Sequence, residues 1–249
     1  MNKQKTKLHT AMVLGAGLGK RMRPITDTIP KPLVPISGKP LIDWGLDCLA
    51  DIGVKRAVVN VHYLADQLQV HLAQRKSPAI SISDERDLLL ESGGGIIKAL
   101  PMIGEDPFFL INSDTFWLDE DESNLMRLSA FFDEQSMDIL LMLASHDQAT
   151  GHGTTSDFVV DTDGRLTRFA NRAQSDTSPG YIYAGAAILH PRIFEGVAPD
   201  AHSLNREFNI ANASGRLFGL PMKGHWLTVG TPDAIAPAEA VVKAHLKRP

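Results

Sequence analysis

The glycine- and proline-punctuated run over residues 14–40 constrains this chain more than any other stretch. It follows the apolar segment Ala11, Met12, Val13, Leu14, which reads as a first β-strand. Gly15, Gly17 and Gly19 then alternate; lacking Cβ atoms, they let backbone N–H groups approach an anion closely and let the chain take positive φ. Lys20, Arg21 and Arg23 come next, and Lys31 stands between two prolines. A strand feeding such a turn, with Leu14, Gly15, Ala16, Gly17 and Gly19 presenting backbone and cations held close by, suits a nucleoside triphosphate.

The common phosphate motifs do not describe this turn. A P-loop needs Gly where Leu14 stands and Ser or Thr where Arg21 stands. The dinucleotide fingerprint needs Gly at the position of Lys20. Three glycines alone also fit a plain surface turn, so the order of the whole stretch carries the weight.

Downstream, apolar runs alternate with helical spacing. Residues 41–52 read as a helix stopped by Gly53, and 65–73 as a shorter helix. Residues 56–61, 79–83 and 108–111 read as strands, the last running into Asn112-Ser113-Asp114. In the second half, 137–144 and 181–189 read as strands and 157–169 as a hairpin turning at Asp163-Gly164. Residues 171–180 read as a polar loop, 203–213 and 234–246 as helices, with Thr231 as N-cap and Pro232 at the first position of the last one. This alternation predicts an α/β fold with a doubly wound, mostly parallel, Rossmann-like sheet. Ligands of such sheets bind beyond the carboxyl ends of the strands, where the glycine turn and Asp114 are expected to meet. With no repeat and no long linker, residues 1–249 are expected to form one domain, a nucleotide-binding half (about 1–135) carrying a second half (about 136–249).

The bulk composition excludes several classes. At 249 residues the chain can bury a sizeable core, and a net charge of −4 gives no basic field for nucleic acid. The single cysteine, Cys48, rules out an intrachain disulfide and a Cys-rich zinc site and is expected to be a small buried residue of the first helix. The basic start, Met-Asn-Lys-Gln-Lys-Thr-Lys, lacks a following apolar run, so no export signal is expected. No stretch reaches the length of a membrane span, and a cytoplasmic location is expected. The nine histidines show no metal spacing, and no nucleophile elbow is present. The oligomeric state is left open.

The run over 14–40 resembles the signature of the sugar nucleotidyltransferases, which join a nucleoside triphosphate to a sugar 1-phosphate. Gly15, Gly17, Gly19, Arg21, Pro24, Thr26, Pro30, Lys31, Pro32, Pro35, Gly38, Lys39 and Pro40 all fall in register with it. The resemblance implies a glycosyltransferase-A-like nucleotidyltransferase fold. It assigns Arg21 to the charge that develops as pyrophosphate leaves, and Lys31 to phosphate near the reacting centre. It makes Asp114 the ligand of Mg²⁺, which often takes only one or two protein carboxylates beside phosphates and water; an Asp at a strand end is otherwise a turn or helix cap. It lays Glu91-Ser-Gly-Gly-Gly-Ile96 against the nucleobase, with Gly94 offering backbone contacts, although Ser92 can also cap a helix starting near Ile96. Gly185 is the matching residue on the sugar side.

Two departures stand out. The second metal aspartate of the family's Trp-x-Asp-Val-Gly-Thr-Pro is Thr228 here, leaving His225 or Asp233 as possible substitutes. The Glu-Lys pair that meets the sugar phosphate is replaced by Arg168-Phe-Ala-Asn-Arg172. Within the family, the closer likeness is to the branch that uridylylates N-acetylmuramate 1-phosphate in cell-wall recycling. UTP with that sugar is therefore the first expectation, and GTP with mannose or heptose 1-phosphate the rival. Thr228 motivates a third possibility, a nucleotide-binding regulatory homologue with weakened catalysis.

Overall fold

The structure, a computed structural model, describes residues 8–247. The basic start read above as lacking an export signal, residues 1–7, lies outside the described residues.

Seven strands form the main sheet in the order Leu217–Pro221, Ile139–Ala144, Ile182–Leu189, Phe108–Asn112, Thr10–Leu14, Arg56–Val61 and Ala79–Asp84. Neighbours run parallel except at Ile182–Leu189, which is antiparallel to both of its partners. The central strands are apolar along their whole length because both faces are covered. Met12 and Val58 face one core while the adjacent Val13 and Val59 face the other, the two-residue period of a strand.

Among the described residues there are six α-helices: α1 (Leu41–Asp51), α2 (Ala65–Leu72), α3 (Glu91–Ile103), α4 (Asn124–Phe131) and α5 (Asn205–Ala213) cover the sheet, and α6 (Ile235–His245) lies apart from it. Leu46 of α1, Leu68 of α2 and Leu125 of α4 pack with Val13 and Val59. Ile96 of α3 and Phe208 of α5 pack on the opposite face with Met12 and Val58. Helices on both faces of a mostly parallel sheet make the fold doubly wound, as the sequence predicts. The main sheet takes four strands from before residue 135 and three from after it, so the two halves share one sheet. Cys48 sits on α1 as expected but is half-buried rather than fully enclosed, and the loss of water around it pushes its thiol up to about 12. No helix among the described residues is long and apolar enough to cross a membrane.

A second, three-stranded sheet joins Thr115–Leu118, His225–Thr228 and Ala149–Thr150. Its third core holds Met22 and Ile36 of the first loop against Leu227, Ala238 and Val242, so α6 backs the glycine turn. Thr115 pairs with Thr228, and the next residue, Val229, donates its N–H to the Asp114 carbonyl at 3.1 Å. This pairing brings chain positions more than a hundred residues apart to one end of the main sheet.

Two helix starts differ from the sequence expectation. α3 begins at Glu91 rather than near Ile96, so Gly93, Gly94 and Gly95 are helical, and Ser92 does not cap it. The Ser92 Oγ instead accepts the Leu204 N–H at 2.9 Å. Thr231 and Pro232 open a 3-10 turn, Pro232–Ala234, that leads into α6, and the Thr231 side chain makes no capping bond.

Candidate active site

A cavity of about 450 Å³ opens beyond the carboxyl ends of the Thr10–Leu14, Arg56–Val61 and Phe108–Asn112 strands. One bank is the glycine turn, with Leu14, Ala16 and Gly17 on the wall. Gly15 stands just behind it: its N–H donates to Asn60 Oδ1 at 2.8 Å, and a Cβ there would lie 2.9 Å from the Asn60 carbonyl. Gly19 takes φ +61° to begin the Lys20–Met22 turn, and its carbonyl accepts from Thr26 Oγ1 at 2.8 Å. That turn brings the chain back so that a Cβ on Gly19 would lie 3.1 Å from Lys31 Cβ. The glycine spacing thus folds the loop onto its own lysine.

Lys31 and Asp114 meet in this cavity, Nζ to Oδ2 at 2.6 Å. The lysine side chain is only 10% exposed while the carboxylate is 35% exposed, so the acid remains reachable from the cavity. Ser113, next to it, ties the strand end to the glycine turn by donating its Oγ to the Leu14 carbonyl at 2.6 Å. Burial together with the Asp114 charge pushes the nearby Tyr183 hydroxyl well above its ordinary range, so it stays protonated.

Other expected residues are placed differently. Arg21 is exposed on its turn and does not line the cavity; its Nη1 would lie 3.4 Å from a Cβ on Gly230, so it rests on the segment after Thr228. Gly94 does not line the cavity either. The Gly93 and Gly94 N–H groups donate to the His202 carbonyl, and a Cβ on Gly94 would lie 2.4 Å from the Asp200 carbonyl. Gly185, at φ +75°, marks a register slip in its strand, and a Cβ there would come within 2.2 Å of Thr115 Oγ1. These glycines have a packing role beneath the walls.

Residues not singled out from the sequence complete the site. Asn60 is a polar residue set among the apolar residues of Arg56–Val61, one position before the strand ends, and that signal was available in the sequence. Its Nδ2 donates to Glu85 Oε1 at 2.7 Å, and Glu85 Oε2 accepts the Leu90 N–H at 3.1 Å. Both side chains are buried. The chain Gly15–Asn60–Glu85–Leu90 fixes the glycine turn relative to the start of α3, whose Glu91 is held at φ +59° on the cavity wall. Gly95 makes room for it, because a Cβ would lie 2.7 Å from Glu85 Oε1 and 2.8 Å from Asn60 Nδ2. Gly95→Ala is accordingly expected to destabilise the fold by about 1–3 kcal/mol, the range of overpacking, read as a lowered urea midpoint. An unchanged midpoint would mean that the network has slack.

The residues present fit magnesium held by one protein carboxylate. Asp114 offers it on the wall that the glycine turn also lines, and the oxygens of a phosphate ligand there would supply other ligands. Among the described residues no group of three or more His, Cys, Asp or Glu is arranged to hold a metal by itself. The Thr115–Thr228 pairing sets position 228 next to Asp114, where a hydroxyl stands in place of a second carboxylate. His225 pairs with Leu118 at the other end of that strand and lies 2.8 Å from Thr150 Oγ1, and Asp233 is exposed on the turn before α6.

A glycine turn, a buried lysine and a partly exposed carboxylate thus meet at the carboxyl edge of a doubly wound sheet, where such sheets bind their ligands. The chain belongs to the nucleotidyl transferase family, which it matches over residues 10–244. It is 42% identical over 234 residues to the N-acetylmuramate alpha-1-phosphate uridylyltransferase of Caulobacter vibrioides, covering 92% of this chain and 95% of that one. It is 32% identical over 237 residues to the protein of that name from Neisseria meningitidis serogroup B, covering 94% and 98%. Among solved structures, the inositol-1-phosphate CTP transferase from T. maritima superposes with a TM-score of 0.76 at 17% identity, over 96% of this chain and 97% of that one, a likeness of fold.

Proposed function

We propose that this chain transfers a uridylyl group from UTP to N-acetylmuramate 1-phosphate, giving the UDP-sugar and pyrophosphate. The observation that carries the chemistry is the meeting of the glycine turn, Lys31 and Asp114 in one cavity. The substrates follow the relatives' names.

A sugar-phosphate oxygen attacks the α-phosphorus, a new P–O bond forms, and the bond to the bridging oxygen of the β-phosphate breaks. The nucleophile is already an anion near neutral pH, so the protein need not remove a proton. Its work is to align two mutually repelling anions and to neutralise charge as it moves to the leaving group. Backbone at Ala16 and Gly17 cradles phosphate, and Lys31 places one positive charge at the reacting phosphate. Arg21 serves the departing pyrophosphate, for which its side chain must leave Gly230. Asp114 would hold magnesium, which when bound supplies further neutralisation of the phosphate oxygens. The second half of the chain contributes the sugar side of the cavity. UTP and a salvaged sugar phosphate place the reaction in the cytoplasm, in the recycling of cell-wall sugar.

The test is pyrophosphate release from each nucleoside triphosphate against a panel of sugar 1-phosphates, with magnesium or manganese. The expected best pair is UTP with N-acetylmuramate 1-phosphate. A preference for GTP with mannose or heptose 1-phosphate would replace the substrates and keep the chemistry. Triphosphate binding without turnover on any pair would favour a regulatory protein, for which Thr228 is the motivating departure.

A further inference from the structure

The bank of the cavity opposite the glycine turn is built by the Phe158–Val160 and Leu166–Arg168 strands and by the start of α5. Arg168 pairs with Phe158 across the hairpin and lines the cavity. Its guanidinium lies over two rings, 4.7 Å from the Phe158 centroid and 5.8 Å from that of Phe208. Two amides set its rotation in that plane: Asn209 Oδ1 accepts from Nε at 3.1 Å and from Nη2 at 2.9 Å, and Asn205 Oδ1 accepts from Nη2 at 3.0 Å. These bonds use the Nε edge of the fork, which leaves Nη1 for a ligand. Burial depresses the arginine's pKa and the Asp157 charge opposes that shift, yet a guanidinium stays charged at any working pH.

An arginine stacked on aromatic rings and locked in rotation is a directional donor for a planar anion. We propose that Arg168 binds a carboxylate on the sugar substrate, namely the lactyl-ether carboxylate that distinguishes N-acetylmuramate 1-phosphate from N-acetylglucosamine 1-phosphate. This rests on the substrate reading given above. Charge separates the two anionic ends of that molecule. The phosphate, doubly charged and due at the α-phosphorus, belongs with Lys31, Asp114 and the glycine turn on the first bank. Beside Arg168 stands Asp157, also on the cavity wall, its Oδ2 accepting the Tyr183 N–H at 2.9 Å. One arginine next to one aspartate is close to neutral, which suits a singly charged carboxylate better than a phosphate dianion. Arg168 is therefore a specificity residue rather than a replacement for the phosphate-binding lysine missing from this region.

The experiment measures kcat/KM of wild type, Arg168→Met and Arg168→Lys with UTP and either sugar 1-phosphate, using enough enzyme to read slow rates. For Arg168→Met the expected fall is about 30-fold with N-acetylmuramate 1-phosphate, equivalent to about 2 kcal/mol, the scale of a charge-assisted hydrogen bond. The fall with N-acetylglucosamine 1-phosphate is expected to stay below about threefold, and Arg168→Lys to recover part of the first loss. Equal losses on both sugars would overturn the proposal, since they would put the arginine on the shared phosphate or in the fold. Retention of full activity on both would overturn it as well. Failure of the wild type to use N-acetylmuramate 1-phosphate, with turnover of another sugar in the panel, would instead sink the substrate reading on which it rests.

Discussion

Asp114→Asn is expected to lower kcat/KM for the full reaction by about 10³-fold, or about 4 kcal/mol of transition-state stabilisation. The amide keeps the shape of the side chain and removes its charge. Two consequences follow at once: the carboxylate proposed for magnesium is gone, and the Lys31 ammonium, now 2.6 Å from a carboxylate oxygen, loses the partner that orients it. The folding free energy should move only modestly: the Lys31 ammonium, only 10% exposed, loses its counter-charge, but water reaching the 35% exposed side chain at 114 screens that loss. The loss should therefore appear in rate with only a modest shift of the melting curve, and the magnesium concentration giving half-maximal rate should rise. A variant within threefold of wild type at saturating magnesium would remove Asp114 from the metal site. Given Thr228, the metal would then be held by the triphosphate alone.

Lys31→Met should cut kcat/KM by about 10²–10³-fold, the usual cost of one electrostatic donor at a reacting phosphate, while changing metal binding the opposite way. In the structure the ammonium occupies an oxygen of the carboxylate that a cation would need. Removing it should strengthen Mn²⁺ binding to the nucleotide-free protein by about tenfold, the scale of one screened charge nearby. Paramagnetic titration of Mn²⁺ reads this without any turnover. If affinity stays the same or weakens, Lys31 does not guard Asp114, and the close pair is merely a feature of the ligand-free side chains. If affinity rises while activity falls, lysine and metal compete for the acid until the triphosphate arrives and gives the lysine its own anion.

Much of the architecture is legible in the amino-acid sequence. The strand at residues 56–61 matches residue for residue, and α1 stops before Gly53, which takes φ +81° as a helix C-cap should. The hairpin turns where Asp163-Gly164 was expected, with Gly164 at φ +85°. These features depend on near neighbours, through apolar period and the φ freedom of glycine. The start of α3 shows where this reading stops. Three consecutive glycines look like a loop by propensity, yet Gly93, Gly94 and Gly95 are helical. The His202 imidazole, the Asp200 carbonyl and the Asn60–Glu85 pair each occupy the space where a Cβ would stand. Tertiary crowding there outweighs the helix cost of glycine, about 1 kcal/mol per residue.

The candidate site divides the same way. Lys31 and Asp114 stand out in the sequence by the family resemblance and by their places after the turn and the strand, and the fold brings them together. Arg21 was named with them, but its side chain lies on Gly230. Asn60, Glu85, Asp157 and Arg168 carry no role in the sequence reading, although the first is a polar residue near the carboxyl end of an apolar strand and the last stands out there only as a departure.

By itself the sequence determined the turn and the class of sheet, because alternation, glycine and proline act through backbone geometry over a few residues. The tertiary structure alone decided that Lys31 closes on Asp114, 83 positions away, and that Arg168 is clamped by two asparagines of a helix. Such meetings are set by strand order, register and the packing of helices on both faces. No local pattern encodes them, since each depends on where the whole chain places its distant parts.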